Sequence, residues 1–365
     1  MHRLLLFIFM MLFMGCPHDL LAENDSIQHN KKNIVQKAWH VVKSIGRAFN
    51  DVDTNYIQPQ QYKFTTTLMS TYNFESYSIK SKSGQEINFS PEASLKVGPY
   101  VGWSLLFLGY TVDLAYISAN KKRELDLSVY TSMLGLDLFI RRSTNDFRIR
   151  SWKLGDNDGH ESMDGIPFNG LNVSITGLNA YYITNHRKFS YPAVFSQSTC
   201  QRKSAGSFMF GGGYTKHSLD LDYHQLQKTL EEANPQMSEK LDSGLLFNKI
   251  RYTDISLSAG YGYNWVFSTN WLLSACLSAS LGYKHARGDH APLFSIIDNF
   301  SFSNFNIDGV GRLGVIWNNS KWYFGSYGIL HTYNYRKSQF ETNNYFGSVY
   351  VYIGINFGRK KTRSR

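Results

Sequence analysis

The sequence predicts an all-β fold, a transmembrane antiparallel β-barrel of about twelve strands with a short N-terminal amphipathic helix. Three observations support this prediction. Apolar and polar residues alternate along most of the chain, and no apolar run reaches the ~18 residues that a membrane helix needs. Aromatic residues make up 15% of the chain, while the mean hydropathy is negative. Alternating strands of about ten residues, apolar toward lipid and polar toward the lumen, produce this combination.

The last predicted strand, residues 345–358, shows the alternation clearly. Its odd positions from Gly347 to Phe357 are mainly aliphatic, and its even positions are Ser, Tyr, Gly and Asn. Because successive side chains of a strand point to opposite faces, one face suits lipid and the other a polar interior. We therefore expect outer-membrane lipid around the barrel, and barrel-assembly machinery to engage this strand.

The chain before the barrel is predicted to be a signal peptide and a periplasmic segment. Residues 1–22 combine a basic start, a short apolar core and a small final residue, with Cys16 in a poor lipobox as a minor lipidation alternative. Residues 23–61 include a helix over 31–50, whose apolar residues recur at i, i+4 and i+7. This helix fits a plug, a helix lying on anionic lipid, or a helix docked on the barrel rim. The expected location is the outer membrane of a Gram-negative bacterium, after signal-peptide removal.

The barrel is predicted over residues 62–358, followed by a basic tail at 359–365 that either touches anionic groups or is a solvated end. The strands are predicted near 62–75, 92–104, 106–118, 123–141, 146–153, 171–184, 207–219, 250–267, 270–286, 305–318, 321–336 and 345–358. Short turns belong on the periplasmic side and long loops outside. With both termini periplasmic, the long segments 154–170, 220–249 and 287–304 all fall outside.

Three segments need separate treatment. Residues 185–206 are too long for a periplasmic turn and are expected to fold into or under the lumen. The 123–141 strand changes its apolar face near Leu134, which a β-bulge would produce. Residues Leu221 to Ala233 carry apolar residues at helical spacing and predict a short helix in an outer loop.

Several long strings resemble a known family, domain of unknown function 4421, of Bacteroides-type Gram-negative bacteria. The strings are DTNYI (53–57), KVGPYVGW (96–103), NHRKFSYPAVFSQSTCQ (185–201), YTKHSL (214–219), FNIDGVGR (305–312) and YNYRKSQF (333–340). The resemblance covers nearly all of the mature chain. It implies a secreted, barrel-like protein with no assigned activity, and it transfers no catalytic residue.

Charged and polar residues collect on the predicted lumen face. These are Lys96, Asp113, Asp126, Arg148, Arg150, Asp254, Lys284, Asp308, Arg312 and Asn356. In an open channel they would form a selectivity lining. In a filled barrel they would pair with one another, because a barrel of modest strand number leaves limited space. The sequence favours neither alternative.

The sequence contains one weak candidate for a catalytic group. His186, Ser190 and Ser196 lie close together and could supply a nucleophile and its base, but no GxSxG elbow frames either serine. A structural segment that closes the barrel is the stronger interpretation. No spacing of His residues fits a metal site, and no cofactor is predicted.

The overall charge and the cysteines indicate neither a specific partner nor a disulfide framework. The net charge of +10 comes without a basic, aromatic-interleaved motif, so no nucleic-acid partner is expected. Cys200 and Cys276 are expected to be free thiols. The predicted function is a channel, transport or ligand-binding barrel rather than an enzyme. The alternatives are a barrel-embedded lipid hydrolase or acyltransferase, and a structural or interaction barrel with a filled lumen.

Overall fold

Long antiparallel strands dominate the computed structural model of this chain. It describes residues 51–103, 106–109, 112–113, 123–144, 147–153, 161–233, 241–242, 245, 249–286, 304–336 and 340–360. The predicted signal peptide, the N-terminal helix over 31–50 and the end of the basic tail lie outside the described residues. Within them, no helix is both long enough and apolar enough to cross a membrane.

The strands are β1 Ile57–Pro59, β2 Tyr62–Ser81, β3 Glu86–Pro91, β4 Ser94–Trp103, β5 Leu106–Gly109, β6 Val112–Asp113, β7 Arg123–Tyr130, β8 Leu134–Thr144, β9 Phe147–Lys153, β10 Glu161–Phe168, β11 Leu171–Ile183, β12 Thr199–Gln201, β13 Ala205–Leu221, β14 Lys249–Ser268, β15 Trp271–Ala286, β16 Phe305–Asn318, β17 Trp322–Arg336 and β18 Phe340–Arg359. The helices in the described residues are α1 Pro192–Phe195 and α2 Tyr223–Ala233.

All of these strands except β1 and β12 belong to one sheet of sixteen strands. The order is β10-β9-β3-β2-β18-β17-β16-β15-β14-β13-β11-β8-β7, and β4 pairs with β2, β5 and β6. The last strand, β18, pairs with β2 along nearly its whole length, from Phe340 opposite Ser81 to Arg359 opposite Tyr62. No pairing in the described residues joins β7 to β5 or β6, so the described sheet is not closed. The count of twelve barrel strands therefore stays a prediction.

The strands show the apolar and polar faces that the alternation predicts. On β15 the exposed fraction is 72% for Leu277 and 4% for Cys276, its neighbour on the opposite face. On β18 it is 56% for Val351 and 3% for Tyr352. Apolar side chains thus cover the outward face of the sheet, while polar and aromatic side chains fill the interior that the inward faces enclose.

One prediction about the middle of the chain is wrong. Residues 123–141 are not one strand with a bulge, because β7 and β8 are separate antiparallel strands joined at 131–133. Leu127 lies opposite Leu138, and the apparent change of face is the reversal of the chain. The strand predicted at 146–153 is confirmed as β9, which pairs with β3 and β10.

The segments expected as outer loops contain regular structure. Residues 154–170 include β10, which pairs with β9, and β3 is a strand that the sequence did not predict. The short helix expected over 221–233 is confirmed as α2, with Leu226 and Leu230 buried. A hydrophobic cluster beneath these elements, here the distal cluster, is centred on Phe89, Trp152, Phe168, Leu226, Tyr252 and Phe346.

Candidate functional site

The segment between β11 and β13, residues 184–204 and here called the plug segment, folds into the interior. All four residues of α1 are buried, as are Phe189 and Tyr191 just before it. Pro192 starts the helix at a position where its missing N–H costs no hydrogen bond. A second hydrophobic cluster, the plug cluster, is centred on Phe189, Tyr191, Val194, Ile316, Tyr323 and Tyr352.

The wall of the sheet is shaped to receive the plug segment. At Gly314 of β16, an added Cβ would lie 2.6 Å from Val194 Cγ1, and at Gly262 of β14 it would lie 2.9 Å from Phe189 Cζ. Both distances are shorter than any tolerated carbon contact, so these glycines leave the space that the plug side chains fill. The plug segment is therefore packed against the wall rather than suspended beneath it.

Hydrogen bonds from inward-facing side chains hold the backbone of the plug segment. Asn264 Nδ2 donates to the Ser190 carbonyl at 2.8 Å and to Gln201 Oε1 at 3.0 Å. The Tyr352 hydroxyl donates to the Val194 carbonyl at 3.3 Å. Since buried backbone carbonyls need a partner, these donors make the insertion of an irregular segment energetically acceptable.

The end of the plug segment is also tied to the chain that precedes the barrel. β12 pairs with β1 in a separate two-stranded sheet, with Ile57 opposite Gln201. Arg202 donates from Nε to Gln58 at 2.8 Å and from Nη1 to Asn270 Oδ1 at 2.6 Å. The plug segment is thus anchored to β1 and to the turn between β14 and β15.

A buried ion pair between Arg312 of β16 and Asp137 of β8 lies next to the plug segment. Nη2 and Oδ2 are 2.8 Å apart, and the two side chains are 7% and 9% exposed. The guanidinium carbon also lies 5.8 Å from the ring centroids of both Tyr181 and Tyr191. Because Tyr191 belongs to the plug segment, Arg312 joins the wall to the plug.

A second buried ion pair lies farther along the same strands. Lys284 Nζ and Asp308 Oδ1 are 2.7 Å apart, with side-chain exposures of 0% and 3%. Lys284 also donates to the Asn334 carbonyl, and Asp254 accepts from Thr215 at 3.3 Å. These charges are neutralised inside the protein rather than presented to solvent.

A small cavity of about 50 Å³ lies in the interior between the plug cluster and the distal cluster. Its lining includes four serines and two glycines together with Asp137, Asp308 and Arg312. A space of this size holds a few water molecules. Beyond it, Tyr252 stacks on Tyr335 with ring centroids 4.3 Å apart. Side chains of the two clusters therefore occupy the described interior on either side of this cavity.

A larger cavity of about 330 Å³, here called the rim cavity, lies beside the plug segment where β1, β2, β17 and β18 start or end. Its lining includes all three residues predicted as a weak catalytic group, namely His186, Ser190 and Ser196. Ser190 Oγ lies 2.6 Å from Thr199 Oγ1, and Ser196 Oγ lies 3.1 Å from Ser198 Oγ. The structure gives neither serine a hydrogen bond to His186, whose buried Nδ1 has no partner among the described residues.

The predicted lumen residues divide into four groups. Five of them are buried in the interior, namely Asp254, Lys284, Asp308, Arg312 and Asn356. Lys96 of β4 lies opposite Asp113 of β6 and opposite buried Thr71 of β2. Asp126 lies on β7, opposite Phe139 of β8.

Arg148 and Arg150 lie on β9, where they alternate with buried Phe147 and Ile149. Arg148 Nε is 2.8 Å from Glu92 Oε1, with both side chains about one-third exposed, and Arg150 is exposed. The buried face of β9 is instead apolar, with Ile149 and Trp152 in the distal cluster.

Sequence reasoning missed three interior charges, Glu75, Asp137 and Arg141. Arg141 Nη1 lies 3.7 Å from Glu75 Oε1, and both side chains are at most 5% exposed. Glu75 is the last residue of the first predicted strand, and the other two follow the reversal that was interpreted as a bulge. The available signal for Asp137 and Arg141 was their alternation with Leu136 and Leu138 along β8.

Cys200 and Cys276 are free and buried, as expected. In the described residues, no group of His, Cys, Asp and Glu side chains has the arrangement of a metal site.

Solved structures similar to this chain are outer-membrane proteins. The outer membrane protease OmpT from Escherichia coli is 8% identical, with a TM-score of 0.35, covering 84% of this chain and 100% of that one. The Pseudomonas putida toluene transporter TodX is also 8% identical, with a TM-score of 0.22 and coverage of 82% and 91%. The transport unit of the autotransporter AIDA-I from Escherichia coli is 11% identical, with a TM-score of 0.30 and coverage of 81% and 90%. At TM-scores below 0.5, these similarities support no inference about activity.

No curated protein matches the sequence. A family does match it over residues 51–357, which include every described strand except the last two residues of β18. The resemblance drawn from the sequence strings is confirmed, and the chain belongs to the family described as domain of unknown function (DUF4421).

Proposed function

We propose that this protein is an outer-membrane β-barrel with a sealed interior, which binds a ligand at one end rather than conducting solutes through an open pore. The observation that carries this proposal is the filled interior. The plug segment, the Arg312–Asp137 pair and the distal cluster occupy it in succession. A diffusion channel requires a continuous water-filled path lined by accessible polar groups.

The outward face of the sheet supports a membrane location. Leu257, Leu277 and Leu313 lie near the middle of their strands and are 76%, 72% and 59% exposed. Trp265 and Trp322 lie on the same face near the strand ends, and both are about half exposed. An apolar band with aromatic residues at its border is typical of a barrel in lipid, whereas soluble proteins rarely expose such large contiguous apolar surfaces.

The short turns support the orientation with periplasmic termini. The turns at 131–133, 268–270 and 319–321 lie at the same end as the plug segment, with Asn318 N–H donating to Asn270 and Arg202 contacting both neighbouring turns. Short turns are the periplasmic ones in outer-membrane barrels. On this proposal the rim cavity faces the periplasm, and β18, paired with β2, remains the strand that assembly machinery would engage.

Conductance in planar bilayers tests the sealed interior. Purified protein whose insertion is verified by heat-dependent gel mobility should add no steady current at physiological salt. A general porin inserted in the same bilayer serves as the positive control. A constant ohmic conductance from the wild-type protein would refute the sealed interior.

Transport with displacement of the plug segment is a second candidate function. One observation favours it, because the plug segment contacts the wall of the sixteen-stranded sheet through side chains and pairs as a strand only with β1. It could therefore move without breaking a strand pairing of the main sheet. A hydrolase is not supported, because neither Ser190 nor Ser196 contacts His186.

A further inference from the structure

The rim cavity is distinguished by the charge of its lining. Lys63 and Lys360 line it, and no Asp or Glu is among its lining residues in the described part of the chain. Lys360 Nζ donates to the Gln60 carbonyl at 3.1 Å, an interaction that fixes the ammonium group but leaves its charge unneutralised. A cavity with cations and no carboxylate attracts an anion.

A buried polar group without an internal partner supports the same ligand. Nδ1 of His186 is buried and has no hydrogen-bond partner among the described residues, so a proton on this nitrogen can be donated to an anion. His186 lines the rim cavity. Buried polar atoms are normally satisfied, so atoms left open at a cavity wall are available to a bound molecule. The hydroxyls of Ser196, Ser198 and Thr199 add further donors on the plug side.

Part of the lining is apolar. Val52, Ile57, Pro59, Phe64 and Pro192 contribute to the wall, so that the lining is more apolar than polar. A volume of about 330 Å³ is at the lower end of the range for small-molecule sites. It suits a compact molecule and is too small for a whole phospholipid. The lysines at its opening are exposed to solvent, which favours a ligand that arrives from water.

We propose that the rim cavity binds a small, water-soluble organic acid, with its apolar body against the proline and phenylalanine side and its carboxylate near Lys63 and Lys360. This inference rests on the proposed function, since it names the ligand class of a binding barrel. It assigns His186 and the plug serines to ligand recognition rather than to catalysis.

Binding of a charge series to the full protein in zwitterionic nanodiscs tests the proposal. We expect 4-phenylbutyrate to bind, by titration calorimetry with empty nanodiscs subtracted, about fivefold more tightly than 4-phenylbutan-1-ol. We expect 4-phenylbutylamine to bind more weakly than the alcohol, and the affinity of the acid to fall with added salt. Equal affinities of acid and alcohol would overturn the proposal.

Three substitutions locate the site. K63Q and K360Q should each weaken binding of the acid by up to about fivefold. The control K321Q changes an exposed lysine at the same end, outside the cavity lining, and should leave the affinity for the acid unchanged. S198W should abolish binding by filling the cavity. Retained binding in a folded S198W protein would overturn the proposal, and if that variant does not fold, unchanged affinity in both lysine variants would do so.

Further results distinguish a soluble acid from a lipid headgroup, and failure of the ligand site from failure of the sealed interior. Loss of affinity when the nanodiscs contain anionic phosphatidylglycerol would overturn the soluble acid in favour of a lipid headgroup. Absence of binding from a protein that does not conduct would refute the ligand site alone. Conductance from a protein that binds the acid would refute the sealed interior alone.

Discussion

Removing the Arg312 guanidinium should destabilise the barrel and loosen the plug segment together. The side chain is buried, pairs with Asp137 at 2.8 Å, and lies equally close to Tyr181 in the wall and Tyr191 in the plug. In R312A, Asp137 would keep the hydroxyl donors of Ser128 and Tyr130 but lose the cation with which it pairs among the described residues. A buried carboxylate without its counter-charge is strongly unfavourable.

The expected cost follows from the burial of the pair. Breaking a buried ion pair from one side costs about 3–5 kcal/mol. Removing both charges in R312M/D137N should cost less than R312A, because no uncompensated charge remains. The matched control is R336A, since Arg336 also pairs with a carboxylate, Glu341 at 3.1 Å, but is 73% exposed. An exposed pair of this kind contributes about 1 kcal/mol or less.

Two measurements check this prediction. Guanidinium unfolding of the reconstituted protein, followed by tryptophan fluorescence, gives the free energies of unfolding. Thiol labelling of Cys200 in a C276S background reports on the plug segment, because burial shields this thiol and raises its pKa, which keeps the wild-type rate slow. R312A should accelerate the labelling. If R312A and R336A cost the same and label at the same rate, the ion pair does not hold the plug.

Two further predictions concern the membrane face and the plug. L277R should lower the free energy of unfolding in lipid by about 2–4 kcal/mol, because Leu277 is 72% exposed on the proposed lipid face. The control Q227R, on the exposed side of α2, should change this free energy by less than about 0.5 kcal/mol. Equally small effects of the two substitutions would contradict a bilayer around this strand. V194C/G314C, in a background without the native cysteines, should form a disulfide on mild oxidation, because a Cβ at position 314 lies within contact of the Val194 side chain. Failure to cross-link, judged by mass spectrometry, would place the plug elsewhere, and any reduction-dependent conductance of this variant would favour plug displacement as the transport step.

The long strands, and the direction in which their side chains point, were predictable where the alternation is uninterrupted. In β14, β15 and β18, outward leucines, valines and aromatics alternate with inward Ser, Gly and Asn, and the structure places them so. The same pattern was misleading at residues 123–141, because a tight hairpin and a bulge both reverse the face of an apolar series. Strands β3 and β10 were not predicted, and neither was the pairing of β9 with them. Their pairing depends on which neighbour is available beside β2, and the alternation within one strand does not contain that information.

The candidate site was predictable only in part. The length of 185–206 showed that this segment is too long for a periplasmic turn. The structure places His186, Ser190 and Ser196 at one cavity. The hydroxyl and lysine lining of that cavity comes from chain segments as far apart as Lys63 and Lys360, so no local motif could show it.

Alternation along the chain was enough to predict which face of each long strand is apolar and that charged residues such as Lys284 and Arg312 point inward. Side-chain alternation is a local property, since it follows from the geometry of a single extended chain. The pairing of these charges and the packing of the plug segment in the interior became visible only in the folded chain. Asp137 and Arg312 are separated by 175 residues, and their contact depends on the curvature and register of the whole sheet. Whether the interior conducts or is sealed is therefore set by long-range packing, on which the pattern of any one strand is silent.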